Sequence, residues 1–235
     1  MNIPATAHII TWETWFTMIL IVHVLAGFLA LATFWIPLAT VKGSSRHIFG
    51  GLFFLGAVGV AVICGIIMTL MRIRDPINPL PSLAHTTFFL YLCLFTAMAG
   101  WHGFRVFYLT GKSSPVSVRI EIILSSIVGI AGLVTAAIGL LSGDLLYTLF
   151  PFIGIGLALR QLRFWSSWPY EKFSIVMEEH MVSMLTCIIA TFTAFCVIAL
   201  PRIVFIGQDS LILWFGPTIV FLPVIFYWKQ RLKSS

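Results

Sequence analysis

Hydrophobic residues occupy most of this chain in long runs, and polar residues are concentrated in the short segments between them. Residues 18–39, 53–71 and 122–141, for example, contain no Asp, Glu, Lys or Arg. A helix needs about 20 mostly apolar residues to cross the hydrocarbon core of a bilayer, which is roughly 30 Å thick. The pattern therefore predicts a protein whose helices cross a membrane.

Seven runs are long enough, and they predict an all-α polytopic membrane protein. The expected fold is a seven-transmembrane-helix bundle that forms a single integral membrane domain over residues 1–235. Pro151 in the fifth span predicts a short, kinked or re-entrant segment, and Pro217 and Pro223 predict a kink in the seventh. The first run is too long for a cleaved signal peptide, so we expect it to be retained. The predicted spans are about 14–40, 48–71, 83–107, 118–141, 145–164, 174–200 and 211–228.

The basic residues predict the orientation of these spans. Eleven of the fourteen Lys and Arg residues fall after spans one, three and five or at the C-terminus. Because basic loops stay in the cytoplasm, the N-terminus is expected outside and the C-terminus in the cytoplasm. These residues are spread over four segments, so the net charge of +6 predicts contact with anionic lipid and no nucleic-acid patch.

We therefore predict a multi-pass protein of the cell membrane, the inner membrane for a bacterial source. Its main partner is the lipid bilayer, and any protein partner would be another membrane protein or a second copy of this chain.

Histidines are the main candidates for chemistry, because ionisable residues are costly inside a membrane. At a helical rise of about 1.5 Å per residue, His23 is expected near the midplane. His47, His102 and His180 share a level in the cytoplasmic half, and His85 lies close to the outer interface. Three histidines from three helices are thus predicted at one depth.

Two histidines share a local motif. His23 is followed by Gly27, and His47 by Gly51, four residues later in each case. Residues four apart lie on one helix face, so each glycine would let a second backbone or a flat ligand approach the imidazole.

A polar stripe runs along the sixth span from His180. Such stripes face the interior of a bundle. Glu178 and Glu179 directly precede this histidine. The stripe continues through Ser183, Met184, Cys187 and Thr191.

These residues predict a metal or haem site. Neutral imidazole is a common ligand for zinc and iron, and a haem would need two histidines that face each other at one depth. The equally open alternative is that the histidines lie at the interface or form hydrogen bonds between helices. The predicted metal ligands are His180, His47 and His23, with His102 as the alternative, and Glu178, Glu179, Ser183, Gly27 and Gly51 are the supporting residues. The predicted cofactor is a transition metal or haem b, and no catalytic residue is assigned.

Two acidic residues near the span ends have simpler interpretations. Glu121 is interpreted as a residue at the start of a helix, and Asp144 as a turn or N-cap residue.

The sequence resembles a group of uncharacterised multi-pass bacterial membrane proteins with His-xxx-Gly in the first two helices and a histidine at the start of a late helix. The matching segments are HVLAG at 23–27, KGSSRHIFGG at 42–51 and EEHMVSMLTCIIATFTAF at 178–195. In the second segment Arg precedes the histidine, whereas the family form has it after. The resemblance implies that His23, His47 and His180 act together, and it implies no particular activity.

Three functions remain open at this point. The first is a membrane redox or metal protein that uses His23, His47 and His180. The second is a small transporter or channel, whose path would be lined by the proline-containing fifth and seventh spans. The third is a non-catalytic partner in a membrane assembly.

Overall fold

A computed structural model describes residues 5–75, 82–109, 115–168, 172–203 and 210–234, and these residues form helices without any strand. Seven segments within this part of the chain are long and apolar enough to cross a membrane, which confirms the predicted all-α fold with seven spans. The helices are α1 Ala5–Thr33, α2 Trp35–Ala39, α3 Ser45–Ile73, α4 Leu83–Leu109, α5 Pro115–Leu141, α6 Leu145–Leu149, α7 Pro151–Ser166, α8 Phe173–Ile203 and α9 Leu211–Ser234.

Two of the seven spans are each built from two helices. The first span, Trp12–Ala39, is interrupted at Phe34, between α1 and α2. The fifth span, Leu145–Ser166, is interrupted at Phe150, and Pro151 opens α7 at a position where its missing N–H costs no helical hydrogen bond. The predicted irregularity of the fifth span is therefore confirmed as a break, and both parts together have the length of a full span.

The turn before the fifth span is closed by Asp144. Its carboxylate accepts a hydrogen bond from the backbone N–H of Tyr147 at 3.0 Å, which confirms the predicted N-cap. Gly139 on α5 lies so close to this turn that a Cβ there would be 2.5 Å from the carbonyl carbon of Tyr147. The short α6 therefore packs directly against the backbone of α5.

The chain forms two compact units, residues 1–93 and 94–235, and the boundary between them falls inside α4. In the first unit, α1 and α2 pack against α3. Gly50 of α3 is buried against Ile36 of α2, where a Cβ would lie 2.6 Å from the Ile36 side chain. Ser44 begins α3 as its N-cap by accepting a hydrogen bond from His47 N at 3.2 Å.

In the second unit, α5 packs against α6 and α7, and α8 packs against α9. We call the end at which α4, α7 and α9 terminate and α5 and α8 begin the inner end; the sequence predicts that it faces the cytoplasm. An apolar cluster lies near this end, formed by Val106, Phe164, Trp165 and Val176 with Phe107, Val118, Ile122 and Trp168 packed against it. This cluster separates the polar residues described next from the helix ends.

Candidate functional site

Four charged residues near the inner end join three membrane-spanning segments. Arg160 of α7 binds Glu178 of α8 with its Nη2 atom 2.9 Å from Oε1, and it binds both carboxylate oxygens of Glu179. Lys229 of α9 lies 3.0 Å from the same Oε1 of Glu178. The Glu178 side chain is 15 % exposed and that of Glu179 is 6 % exposed. The Arg160 and Lys229 side chains are 26 % and 34 % exposed, so two partly exposed cations and two largely buried carboxylates form a balanced cluster, the Glu178 clamp.

His102 of α4 connects this clamp to a fourth span. The indole Nε1–H of Trp165 donates to His102 Nδ1 at 3.1 Å, and His102 Nε2 lies 3.5 Å from Glu179 Oε2. An indole can only donate, so Nδ1 must be the accepting nitrogen, and the ring hydrogen of a neutral imidazole must be on Nε2. The Nε2–H therefore faces the Glu179 carboxylate. Both rings are buried and perpendicular to each other.

A second charged pair joins α4 to α5. Glu121 is fully buried and its Oε1 accepts hydrogen bonds from Arg105 Nε at 3.0 Å and Trp101 Nε1 at 3.2 Å. The interpretation of Glu121 as a helix-start residue is therefore wrong, because α5 begins at Pro115 and Glu121 faces the protein interior.

Four buried polar atoms of the second unit have no hydrogen-bond partner among the described residues: Glu121 Oε2, His102 Nε2, Gln161 Nε2 and Ser183 Oγ. For His102 the 3.5 Å separation from Glu179 is an electrostatic contact whose geometry falls short of a hydrogen bond. Gln161 Oε1 accepts from Ser125 Oγ at 3.2 Å, so only its amide nitrogen is unpartnered. Unpartnered buried polar atoms are rare in native proteins, and each calls for an explanation.

His180 binds the backbone of α4. Its Nδ1 lies 2.7 Å from the carbonyl oxygen of Gly103, and its ring packs on Phe107 with 4.7 Å between centroids. A carbonyl only accepts, so Nδ1 carries a hydrogen. The two glutamates, predicted to support a metal at His180, instead bind Arg160, Lys229 and, for Glu179, His102.

The polar stripe of the sixth span is confirmed in its central part. Ser183 and Cys187 are fully buried, whereas Met184 and Thr191 are half-buried. Gly103 allows this close packing, because a Cβ at that position would lie 2.9 Å from Met184 Sδ.

His23 and His47 belong to the first unit. His23 Nδ1 lies 2.8 Å from the carbonyl oxygen of Ala61, and His47 Nδ1 lies 3.0 Å from that of Pro37. Lys42 also donates to Pro37 O, at 2.8 Å, and partial burial lowers the pKa of this lysine. His47 and Lys42 therefore both bind the carbonyl groups that end α2.

The glycines of the His-xxx-Gly motifs have open space beside them. An added Cβ at Gly27 or Gly51 would meet no atom within 4 Å. Close approaches in this unit occur instead at Gly50, described above, and at Gly65. A Cβ at Gly65 would lie 3.1 Å from Cys93 Sγ and 3.7 Å from His23 Cε1. Among the described residues, no other helix uses Gly27 or Gly51 for close packing.

No group of three or more His, Cys, Asp or Glu side chains within the described ranges is arranged to hold a metal ion. The metal or haem site assigned to His180, His47 and His23 thus remains a prediction. The polar cluster that does form uses His102, the alternative histidine, together with Arg160, Trp165 and Lys229.

Sequence reasoning missed most of this cluster. Arg160 and Lys229 were counted with the cytoplasmic loops, but they lie within the spans Leu145–Ser166 and Leu211–Leu232. Trp165 lies one residue from the end of its span, yet only 1 % of it is exposed. The sequence signal concerned Arg160 alone, which lies inside the predicted fifth span, where a cation needs a carboxylate partner.

Comparisons with protein-family models, with curated proteins and with solved structures find no match to this chain. The assignment of function therefore rests on the geometry of the buried polar cluster in a multi-pass membrane protein.

Proposed function

We propose that this protein is a small-solute transporter and that the Glu178 clamp is its gate at the inner end. The main observation behind this proposal is that Arg160 and Lys229, which belong to two different spans, contact the same carboxylate oxygen, Glu178 Oε1. Removing this carboxylate would break the ion pair of Lys229 and one of the two ion pairs of Arg160, which stays bound to Glu179. A single change of charge could thus loosen three spans.

The two spans whose cations meet on Glu178 both contain proline. Arg160 follows the break at Pro151, and Lys229 follows Pro217 and Pro223 in α9. Pro151 follows a break in the span, and Pro217 and Pro223 each remove a helical hydrogen bond inside α9, so the segments that carry the two cations can move relative to the rest of their spans. Interrupted spans are typical of the substrate path in secondary transporters.

The position of the clamp also supports a gate. Charged groups inside a membrane are costly and are retained for ion or substrate pathways. The apolar cluster around Phe164 and Trp165 lies one helical turn nearer the inner end than the clamp. The ion pairs between the helices favour the closed arrangement.

Cys187 is a native reporter of this gate. It is a free, fully buried thiol two helical turns beyond Glu179 on the same face of α8, about 12 Å deeper in the bundle. In a variant whose other cysteines are serine, we expect a membrane-impermeant maleimide applied from the inner end to label Cys187 slowly. Glu178→Gln should accelerate labelling by about tenfold, because it removes two partly exposed ion pairs, each worth up to about 1 kcal/mol, and 1.4 kcal/mol corresponds to tenfold.

Glu121→Gln is the matched control, because Glu121 is also a buried glutamate paired with arginine but contacts neither Arg160 nor Lys229 in any ion pair. It should leave the labelling rate near that of the parent. Equal acceleration by both variants would indicate general loosening of the fold and would contradict the gate.

A metal or haem role is the second candidate, and one observation favours it. His23, His47 and His180 each direct Nδ1 at a backbone carbonyl. Histidine ligands of metals usually hold their second nitrogen in this way, with the metal on Nε2. An absorption spectrum and metal analysis of protein purified without chelator test this candidate; a Soret band or stoichiometric metal that His180→Ala abolishes would favour it over the transporter.

A further inference from the structure

We propose that His102, Gln161 and Ser183 form the binding site of a small neutral solute whose oxygen accepts hydrogen bonds. The inference rests on the proposed transport function and identifies the class of solute. His102 Nε2, Gln161 Nε2 and Ser183 Oγ are all donors, all are fully buried, and none has a hydrogen-bond partner among the described residues. Buried donors are normally hydrogen-bonded, so a bound solute with an acceptor oxygen would satisfy these three donors.

Ser183 provides the clearest evidence. A serine or threonine in a helix commonly donates to the carbonyl four residues earlier, and Thr186 and Thr191 on the same helix do so to Val182 and Cys187 at 2.8 and 2.9 Å. Ser183 makes no such bond, although its hydroxyl is buried. Its donor is therefore left for a group outside its own helix.

Helix geometry places the three donors on neighbouring turns. His102 contacts Glu179 directly, and Ser183 follows Glu179 by one turn on the same face of α8, about 6 Å along the helix. Gln161 precedes Trp165, which binds His102, by one turn on the same face of α7. A solute at this position would lie directly beside the clamp.

The charges around the site favour a neutral ligand. The clamp contains two carboxylates and two cations that are paired with one another, and the nearby Glu121 is paired with Arg105. No net positive charge is left to stabilise an anion in this low-dielectric interior. A carbonyl oxygen matches three neutral donors without adding charge.

The first test uses stability. A donor that binds a solute has no hydrogen-bond partner in the purified, solute-free protein. Removing this donor should therefore increase the stability of the protein, because an unpartnered buried polar group is destabilising. Ser183→Ala should therefore raise the thermal midpoint of the detergent-purified full chain. Ser126→Ala is the matched control for the change in helix propensity, and it should raise the midpoint less than Ser183→Ala does, because the Ser126 hydroxyl already donates to Ile122 O at 2.8 Å. A lower midpoint for Ser183→Ala would mean that its hydroxyl has a structural partner, and it would overturn the assignment.

The second test uses acetamide and acetate, which have nearly the same shape but differ in charge. Acetamide should raise the midpoint of the wild type, and Ser183→Ala should reduce that rise, whereas acetate should raise neither. An equal rise in both proteins, no rise with acetamide, or a larger rise with acetate would overturn the neutral-acceptor site. Neither measurement depends on the gate. The solute site can therefore be disproved while the Cys187 labelling pattern still supports the gate, and the gate can be disproved while these measurements still support the solute site.

Discussion

Trp165 holds His102 in one tautomer: the indole Nε1–H donates to Nδ1 at 3.1 Å, and the Nε2–H consequently faces Glu179. Both side chains are buried, so neither water nor another described group substitutes for this bond. The relationship links α4 and α7 to the carboxylate of α8 and fixes the geometry on one side of the clamp.

The first prediction follows from this bond. Trp165→Phe keeps an aromatic ring but leaves His102 Nδ1 without a donor, which should cost about 1–3 kcal/mol of unfolding free energy. In ¹⁵N NMR spectra of histidine-labelled protein, His102 should be the Nε2–H tautomer in the wild type and a mixture in the variant. A wild-type signal from the Nδ1–H tautomer would contradict the assignment.

The second prediction concerns two glycines of α5 that face neighbouring segments at different distances. A Cβ at Gly139 would lie 2.5 Å from Tyr147 backbone, which cannot move without disturbing the turn, so Gly139→Ala should destabilise the protein by about 1–3 kcal/mol. A Cβ at Gly129 would be 3.5 Å from Ala158 Cβ, an ordinary contact. Gly129→Ala should be neutral or slightly stabilising, by up to about 1 kcal/mol. Thermal unfolding of both variants measures the difference; similar losses would contradict the close packing of α6 on α5.

The third prediction concerns orientation. A reporter at the C-terminus should be cytoplasmic and one at the N-terminus should be external, because seven spans place the termini on opposite sides and the basic residues assign the cytoplasm. Two cytoplasmic termini would contradict the seven-span topology and would remove the fifth span, with its break at Phe150, as a full crossing.

The spans could be predicted from the sequence because a membrane segment is defined by local composition. A charge-free run such as residues 53–71 is too apolar to be stable in water and is therefore recognised as a membrane span. The predicted span 48–71 and the observed span Ser45–Ile73 differ by only a few residues at each end. The broken fifth span was also visible, since Pro151 cannot continue a helix in mid-span without a lost hydrogen bond.

The polar cluster could not be predicted, because its contacts join residues far apart in the chain. Arg160 and Glu178 are separated by 18 positions, and Trp165 and His102 by 63. Lys229 and Arg160 lie a few residues from the ends of their spans, where they look like loop cations until the helices are placed. The sequence predicts a site at His180 from its depth in the sixth span and from the polar stripe, with Glu178 and Glu179 in support. Consecutive helical residues point in different directions, however, and the imidazole faces Gly103.

The central claim is that Arg160 and Lys229 close the inner end by sharing Glu178. A double-mutant cycle on the rate of Cys187 labelling measures this most directly, with Glu178→Gln, Lys229→Met and the double variant in the background that retains Cys187 as the sole cysteine. Because both substitutions remove the same contact, the account predicts that the double variant is labelled no faster than Glu178→Gln alone. The account would be contradicted if the acceleration of labelling in the double variant equalled the product of the two single-variant accelerations, or if no variant accelerated labelling.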